Sequence, residues 1–398
     1  MIEPMTYFGT FWIPNNEGKK MFGTYTYKKD GSSVVEIHRC DYDKTLCRMP
    51  NYDVLWGEIG DGYPITLFNV SPMEKRDCSY FLFSVKYVLT NIHLQSLEDS
   101  RFDKCSVVFS HLNSWIKKNS VEIIFGTDKN TFVAKDDETI MSDFKLDDNL
   151  SVSIHAHVLE SIIPFYSCNL TQETRLRFNV TNKISVGCFV DIVTEFAQFL
   201  SIALLSKQYP NRIYFANEVE LLFKSNESDK PIFHLIPFNL LRDRMTSIIC
   251  NWHKHYSAVS PICSHYINSL KVIEFEPTGF LIVAESLDGY HKRFNNMRDG
   301  KDVRKYEDGL KKLLDKFNDI DVVKKCNINS DLFTKTRNHY SHLYFDNNND
   351  IPTGKELYNI TQQGFILLSC CLLHLLGLTM EEINVCCNKS MIYNRISQ

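Results

Sequence analysis

Thr336-Arg337-Asn338-His339-Tyr340-Ser341-His342 is the stretch from which the second half of this chain is read. It lies within Asp331 to Phe345, where Leu332, Phe333, Leu343 and Phe345 flank it and would anchor a helix with its polar side toward a cleft or a partner. On such a helix Asn338 and His342 are at i, i+4 and share a face, and His339 is at i, i+3 from His342. Arg337 precedes His342 by five residues, which is about 140° around the axis at roughly 3.6 residues per turn. The two do not share a narrow face, and only a long Arg side chain bridges that angle; the segment could also begin at a helix N-terminus.

These groups suit RNA cleavage by internal attack. The ribose 2′-hydroxyl needs a base that works near neutral pH, which is the natural role of His. The phosphorane-like transition state gains negative charge that a guanidinium meets with two parallel N–H donors. Asn338 would orient the His or a phosphate oxygen. One such set offers one acid–base His where the reaction uses both an acid and a base. Two chains paired about a two-fold axis would supply both. Taken bare, the spacing also fits a surface helix with ordinary capping and salt-bridge contacts.

Working outward, residues beyond about 245 read as helical. Ser247 to Leu270 forms one long segment, with Pro261 the point where it could break. Gly279 to Phe294 follows. Val303, Tyr306, Leu310, Leu313, Leu314 and Phe317 make an apolar stripe in the next. Beyond Asp331 to Phe345, Pro352 and Thr353 open a long apolar helix that ends near Gly377. Five helices with short connections describe a bundle. Between residues 292 and 325 the chain has eleven Lys and Arg against seven Asp and Glu, beginning with Lys292, Arg293, Arg298, Lys301, Arg304 and Lys305. That is either a local patch for RNA or the solvated faces of helices.

The first half reads as β-rich. Short apolar or alternating runs (Phe8 to Ile13, Met21 to Tyr27, Val34 to His38, Tyr63 to Val70, Cys105 to Phe109, Val121 to Phe125) alternate with turn signals such as Asp30-Gly31 and Asp61-Gly62. Leu150 to Val158 has the pattern of a half-buried strand and puts His155 and His157 on one face. Two such His could ligate a metal, but no third ligand is evident in the sequence, so strand surface is the preferred reading. Val190 to Leu205 is a helical interlude, after which strands return at Arg212 to Phe215 and Val219 to Phe223. Pro231 to Pro237 reads as an extended connector. The expectation is an α+β, two-domain chain: residues 1–238 β-rich and residues 239–398 an all-α bundle.

A net charge of −4 over 398 residues argues against coating nucleic acid through bulk electrostatics, though not against one local RNA contact. The thirteen Cys show no ligand spacing; Cys370-Cys371 and Cys386-Cys387 are vicinal pairs, so reduced thiols are expected and zinc is not. Met1 to Pro4 lacks a basic and apolar leader, and Gly364 to Leu378 is too short to span a membrane. The expectation is a cytoplasmic chain with no membrane, metal or cofactor. Trp12 and Trp115 are expected as core anchors rather than as base-stacking platforms.

The motif segment resembles the signature of HEPN domains, helical bundles in which an Arg followed a few residues later by a His cleaves RNA without metal. Phe280 to His291 looks like that family's helix bearing an acidic residue, here Glu285, either against the motif Arg or in a plain structural ion pair. Leu357 to Gly377 looks like its last long helix. In the first half, Gly9-Thr10-Phe11-Trp12-Ile13-Pro14, Gly23-Thr24-Tyr25, Gly62-Tyr63-Pro64-Ile65-Thr66-Leu67, Leu112-Asn113-Ser114-Trp115-Ile116 and Phe196-Ala197-Gln198-Phe199-Leu200 are similar to the N-terminal domain of the ApeA family. That family joins such a domain to a C-terminal HEPN domain in bacterial defence against phage.

The resemblance implies Arg337 and His342 as catalytic with Asn338 in support. It also implies a homodimer or higher homo-oligomer through the HEPN domain, a phage-encoded trigger, and abortive infection by cleavage of an essential RNA such as tRNA. His339, Tyr340, Lys292 and Arg293 are the candidate RNA contacts. The competing reading is a non-catalytic HEPN module that binds RNA or nucleotides or serves dimerisation. A metal-dependent hydrolase is disfavoured, since no carboxylate–His cluster at ligand spacing is visible in the sequence.

Overall fold

A computed structural model describes residues 5–38, 51–76, 80–98, 100–118, 120–125, 130–135, 137–163, 167–216, 219–231, 233–270, 276–295, 305–342 and 350–390. The chain divides into two compact units. One comprises residues 1–113, 118–194 and 209–227; the other comprises residues 114–117, 195–208 and 228–398.

The first unit is β-rich, as expected. Strands β1 (Met5–Trp12), β2 (Met21–Tyr27), β3 (Ser33–His38), β4 (Tyr52–Ile59), β5 (Tyr63–Arg76) and β6 (Tyr80–Thr90) pair in the order β6-β3-β2-β1-β4-β5, and β5 pairs back onto β6 to close a barrel. Alternation drives this: Met21, Tyr25 and Tyr27 of β2 point inward with Phe11, Val35, Ile37, Leu55, Leu67, Phe81 and Phe83. Gly9 and Gly23 stand opposite each other in the β1–β2 register. A Cβ at Gly23 would lie 2.1 Å from the Glu36 carbonyl oxygen, so the close strand approach there admits only glycine. Trp12 is buried in this unit, a core residue as expected.

β6 belongs to two structures. Residues 80–85 pair with β3 in the barrel, and Tyr87, Val88 and Leu89 pair with β14 (Val219–Phe223). From β14 an open antiparallel sheet continues through β13 (Pro210–Phe215), β7 (Arg101–Phe109), β12 (Ser167–Ser185) and β11 (Leu150–Ile163) to the edge strand β10 (Glu138–Lys145). A separate hairpin joins β8 (Val121–Phe125) and β9 (Asn130–Ala134).

The second unit is helical. It contains the later part of α1 (Leu112–Ile116) and of α2 (Val186–Ala203), then α3 (Met245–Ser269), α4 (Pro277–Tyr290), α5 (Tyr306–Lys316), α6 (Asp321–Cys326), α7 (Ser330–His342), α8 (Gly354–Leu375) and α9 (Met380–Lys389). Two expectations need correction. The region beyond residue 245 holds seven described α-helices rather than five, because α6 and α9 are short and their apolar stripes faint. Pro261 lies inside α3 without ending it, since the apolar face of Ile248, Ile249, Trp252, Val259, Ile262 and Cys263 is buried throughout. Leu343 and Phe345 lie outside the described residues.

Packing fixes α7 in place. A Cβ on Gly364 of α8 would meet Phe333 Cζ and Val283 Cγ1 at 2.8 Å, so α4, α7 and α8 come together where α8 has no side chain. Tyr266 of α3 stacks on Phe365 at 4.5 Å and its hydroxyl bonds Ser369 Oγ at 2.8 Å. Trp115 Nε1 donates to the Ile236 carbonyl at 2.6 Å, within this unit's core. Residues 365–373 of α8 are buried, so this apolar run is a core helix. Helix α2 is long and apolar enough to cross a membrane, and most of it is buried inside the protein.

Candidate active site

Helix α7 is regular through Ser330–His342, and the motif occupies its last two turns, not its start. Its beginning is capped from outside, where Asn329 Oδ1 accepts from the Asp331 and Leu332 amides at 3.0 Å. Phe333 and Thr336 face the core. Arg337, Asn338, His339, Tyr340 and Ser341 are half-buried and His342 is exposed at the helix end. Asn338 and His342 therefore share a face, one turn apart.

Arg337 is held by two contacts. Its Nη1 donates to Asn338 Oδ1 at 3.1 Å, and its guanidinium carbon lies 5.5 Å from the ring centroid of Tyr306, the first residue of α5. The Arg337 Nε and the Tyr306 hydroxyl are both buried without a hydrogen-bond partner. Burial pushes the Tyr306 phenol far up; the Asp288 carboxylate adds to that rise and the Arg337 guanidinium opposes it. Asp288, Tyr306 and Arg337 thus lie within one electrostatic neighbourhood. Nearby His291 is buried with neither ring nitrogen partnered, and Gly309 is close enough that a Cβ there would meet its Cδ2 at 2.9 Å.

The other expected residues are placed as follows. Glu285 is exposed and makes no ion pair among the described residues. Neither role foreseen for it is formed: α4 turns Asp288, three residues further on, toward Tyr306. His339 packs edge-on against Tyr340 at 5.0 Å, and the Tyr340 hydroxyl donates to the Pro352 carbonyl at 2.9 Å, which ties α7 to the start of α8. Lys292 pairs with Asp288 at 2.7 Å, and Arg293 donates to the Ala258 carbonyl at 2.8 Å. That carbonyl is next to the one that Pro261 leaves without its helical donor. Arg298, Lys301 and Arg304 of the basic stretch lie outside the described residues. Lys311 is paired with Glu307, so part of the stretch is an ordinary solvated helix face.

Sequence reading missed Tyr306 as a neighbour of Arg337, and Asp288 as a neighbour of Tyr306. Tyr306 was visible only as one member of an apolar stripe, and nothing in a stripe says which ring will face a guanidinium. Among the described residues no group of three or more His, Cys, Asp or Glu is arranged to hold a metal ion. Chemically, the end of α7 presents a positioned guanidinium, an amide and an exposed imidazole side by side.

Residues 6–252 match the family model described as ApeA N-terminal domain 1, and residues 281–382 match the one described as Apea-like HEPN. The second match runs from α4 into α9 and includes Arg337, Asn338 and His342. No curated protein and no solved structure matches the chain.

Proposed function

The chain belongs to the ApeA family, an anti-phage HEPN nuclease family, and on that footing we propose that it is a metal-independent RNA endonuclease acting in abortive infection. The observation that carries this reading is the state of Arg337: half-buried, set over the Tyr306 ring and bonded to Asn338, with His342 exposed on the same helix end. A surface Arg serving only solubility has no need of such support.

In the proposed reaction the ribose 2′-oxygen attacks the adjacent phosphorus while an imidazole takes its proton. The bond from phosphorus to the 5′-oxygen breaks, a second imidazole protonates that oxygen, and a 2′,3′-cyclic phosphate remains. Arg337 neutralises the charge gathering on the non-bridging oxygens, the kind of stabilisation that preorganised donors provide best. Asn338 holds the guanidinium. The second imidazole comes from His342 of another copy, so the working form is a homodimer or higher oligomer. The substrate is a structured cellular RNA, tRNA first among candidates, and a phage-encoded molecule triggers the activity in the cytoplasm.

A substrate carrying a single 2′-deoxynucleotide at the mapped cut site tests the internal attack. The deoxy substrate is expected to resist cleavage at that position; cleavage at the unmodified rate overturns the mechanism. A monomeric mass in solution at concentrations where the protein is active overturns the composite site.

A further inference from the structure

A second cluster, of two imidazoles and a guanidinium, lies on the open sheet of the β-rich unit. On β11, His155 and His157 share one face, and on the paired strand β12 Arg177 stands opposite Ser153. All three side chains converge on one atom, Oδ1 of Asp137. Arg177 Nη2 is 3.0 Å from it, His157 Nε2 3.2 Å and His155 Nδ1 3.3 Å. Three nitrogens aimed at a single oxygen form a receptor for an oxyanion.

The donors and the carboxylate differ in how they are held. The donors stand on two hydrogen-bonded strands inside the sheet, with side chains only 12%, 16% and 26% exposed for His155, His157 and Arg177. Asp137 is 51% exposed and precedes the edge strand β10, with its backbone at φ +50°, a left-handed conformation costly for a residue with a side chain. A fixed receptor therefore holds an exposed carboxylate from a strained turn.

The surroundings favour a larger anion than a carboxylate. Ser153 Oγ is 3.1 Å from His155 Nε2 and Thr139 Oγ1 is 3.5 Å from its Nδ1, so hydroxyl donors flank the imidazole. The nearby acids are engaged elsewhere: Asp143 accepts from Asn179 at 3.1 Å, and Glu173 pairs with Arg175 and Arg212. A metal ion is the wrong occupant. Arg177 puts a permanent positive charge 3.3 Å from His157 Nε2 and 3.5 Å from His155 Nε2, where a cation would be repelled.

We propose that His155, His157 and Arg177 form a binding site for a phosphoryl group and that Asp137 is its built-in plug, displaced when the ligand enters. A phosphate monoester carries up to two negative charges and three terminal oxygens, against one charge and two oxygens for the carboxylate. It takes the guanidinium in bidentate fashion and leaves a third oxygen for the two imidazoles to share, as they share the Asp137 oxygen. This gives the β-rich unit a small-ligand input and does not depend on the nuclease reading.

The test is titration of the full chain with inorganic phosphate and, separately, with adenosine monophosphate, followed by calorimetry and by the C2 proton resonances of His155 and His157. Acetate serves as the monoanion control. Asp137→Asn removes the competing charge while tolerating the left-handed backbone, and it is expected to tighten phosphate binding by about tenfold or more. Arg177→Met, alone or combined with Asp137→Asn, is expected to abolish binding and the histidine shifts. Asp137→Gly, which also relieves the backbone, is expected to behave like Asp137→Asn and covers any folding fault of the first variant. Binding of adenosine monophosphate far tighter than phosphate assigns the phosphoryl group to a nucleotide, and equal binding assigns it to free phosphate. The proposal is overturned if neither probe binds the Asp137 variants, or if binding survives Arg177→Met.

Discussion

The guanidinium of Arg337 lies over the ring of Tyr306, 5.5 Å from its centroid, so the motif helix α7 and helix α5 are joined at the residue proposed to stabilise the transition state. A desolvated cation–π contact is worth about 2 kcal/mol. Tyr306→Leu keeps an apolar side chain but loses the ring face, and is expected to lower kcat/KM for RNA roughly 10- to 30-fold. Tyr306→Phe keeps the ring and removes a buried hydroxyl that has no partner, so activity persists and the thermal midpoint does not fall. Equal activity of the Leu and Phe variants would show that the ring does not position Arg337.

Asn338 makes the other contact to Arg337, at 3.1 Å. A hydrogen bond to a charged group contributes about 1.5 kcal/mol or more, so Asn338→Ala is expected to cost roughly tenfold in kcat/KM. The side chain is on the half-buried face of α7 and outside its core, so the unfolding midpoint changes little. Parallel rate and denaturation measurements separate the two effects. A variant that loses stability and activity together would make Asn338 a structural residue.

Gly364→Ala sets two effects against each other. Alanine in a helix interior gains up to about 1 kcal/mol over glycine. Here its Cβ would press on Phe333 of α7 and Val283 of α4 at 2.8 Å, and overpacking of that kind costs about 1–3 kcal/mol. Net destabilisation is expected, read as a lower denaturant midpoint with unchanged slope. Because Phe333 is on the motif helix, RNA cleavage should fall as well. A stabilised variant would mean that α7 can yield without loss.

Acid should weaken this fold in the histidine range. His155, His234, His255 and His291 are all held below the ordinary imidazole value, chiefly by burial, with Arg177, Lys117, Lys254 and Lys312 adding to it in turn. The unfolded chain takes up these protons from about pH 6.5 downward, while the folded chain takes them up only at lower pH. Through that interval the unfolded state binds more protons, so stability falls as pH falls. Thermal midpoints at pH 7.5 and 5.5 should show the drop, before carboxylates such as Asp321 and Asp331, held low in the fold, begin to matter. His291→Leu should raise the midpoint more at pH 6 than at pH 8. A midpoint unchanged on acidification would contradict the burial argument.

Much of this architecture could be read locally. Alternating runs marked β1, β2 and β3, and the Asp30-Gly31 and Asp61-Gly62 turns hold Gly31 and Gly62 at φ +78° and +92°. The apolar stripes of α3, α5 and α8 marked the helical unit. Strand β12 was less legible because Glu173, Arg175 and Arg177 fill its outer face, and polar Thr174 joins Leu176, Phe178 and Val180 on the face toward the core. Barrel closure depends on the pairing of β5 with β6, and no local pattern reports a strand's second neighbour. Helix α9 did carry a signal: Thr379 accepts from the Glu382 amide, and Glu382 reaches back to the Thr379 amide in a capping box. The site was legible as the motif itself. Its support was not, since Tyr306 reaches Arg337 from a separate helix, just as Asp137 and Arg177 reach His155 from a turn and from another strand.

The most direct test of the central claim is to incubate the purified full-length chain with total RNA in EDTA and quantify 2′,3′-cyclic phosphate ends. The account predicts that wild-type protein produces them and that Arg337→Ala and His342→Ala, both correctly folded, do not. Undiminished cleavage by either variant, or none by any form under conditions that release its activity, would contradict an active site at the end of α7.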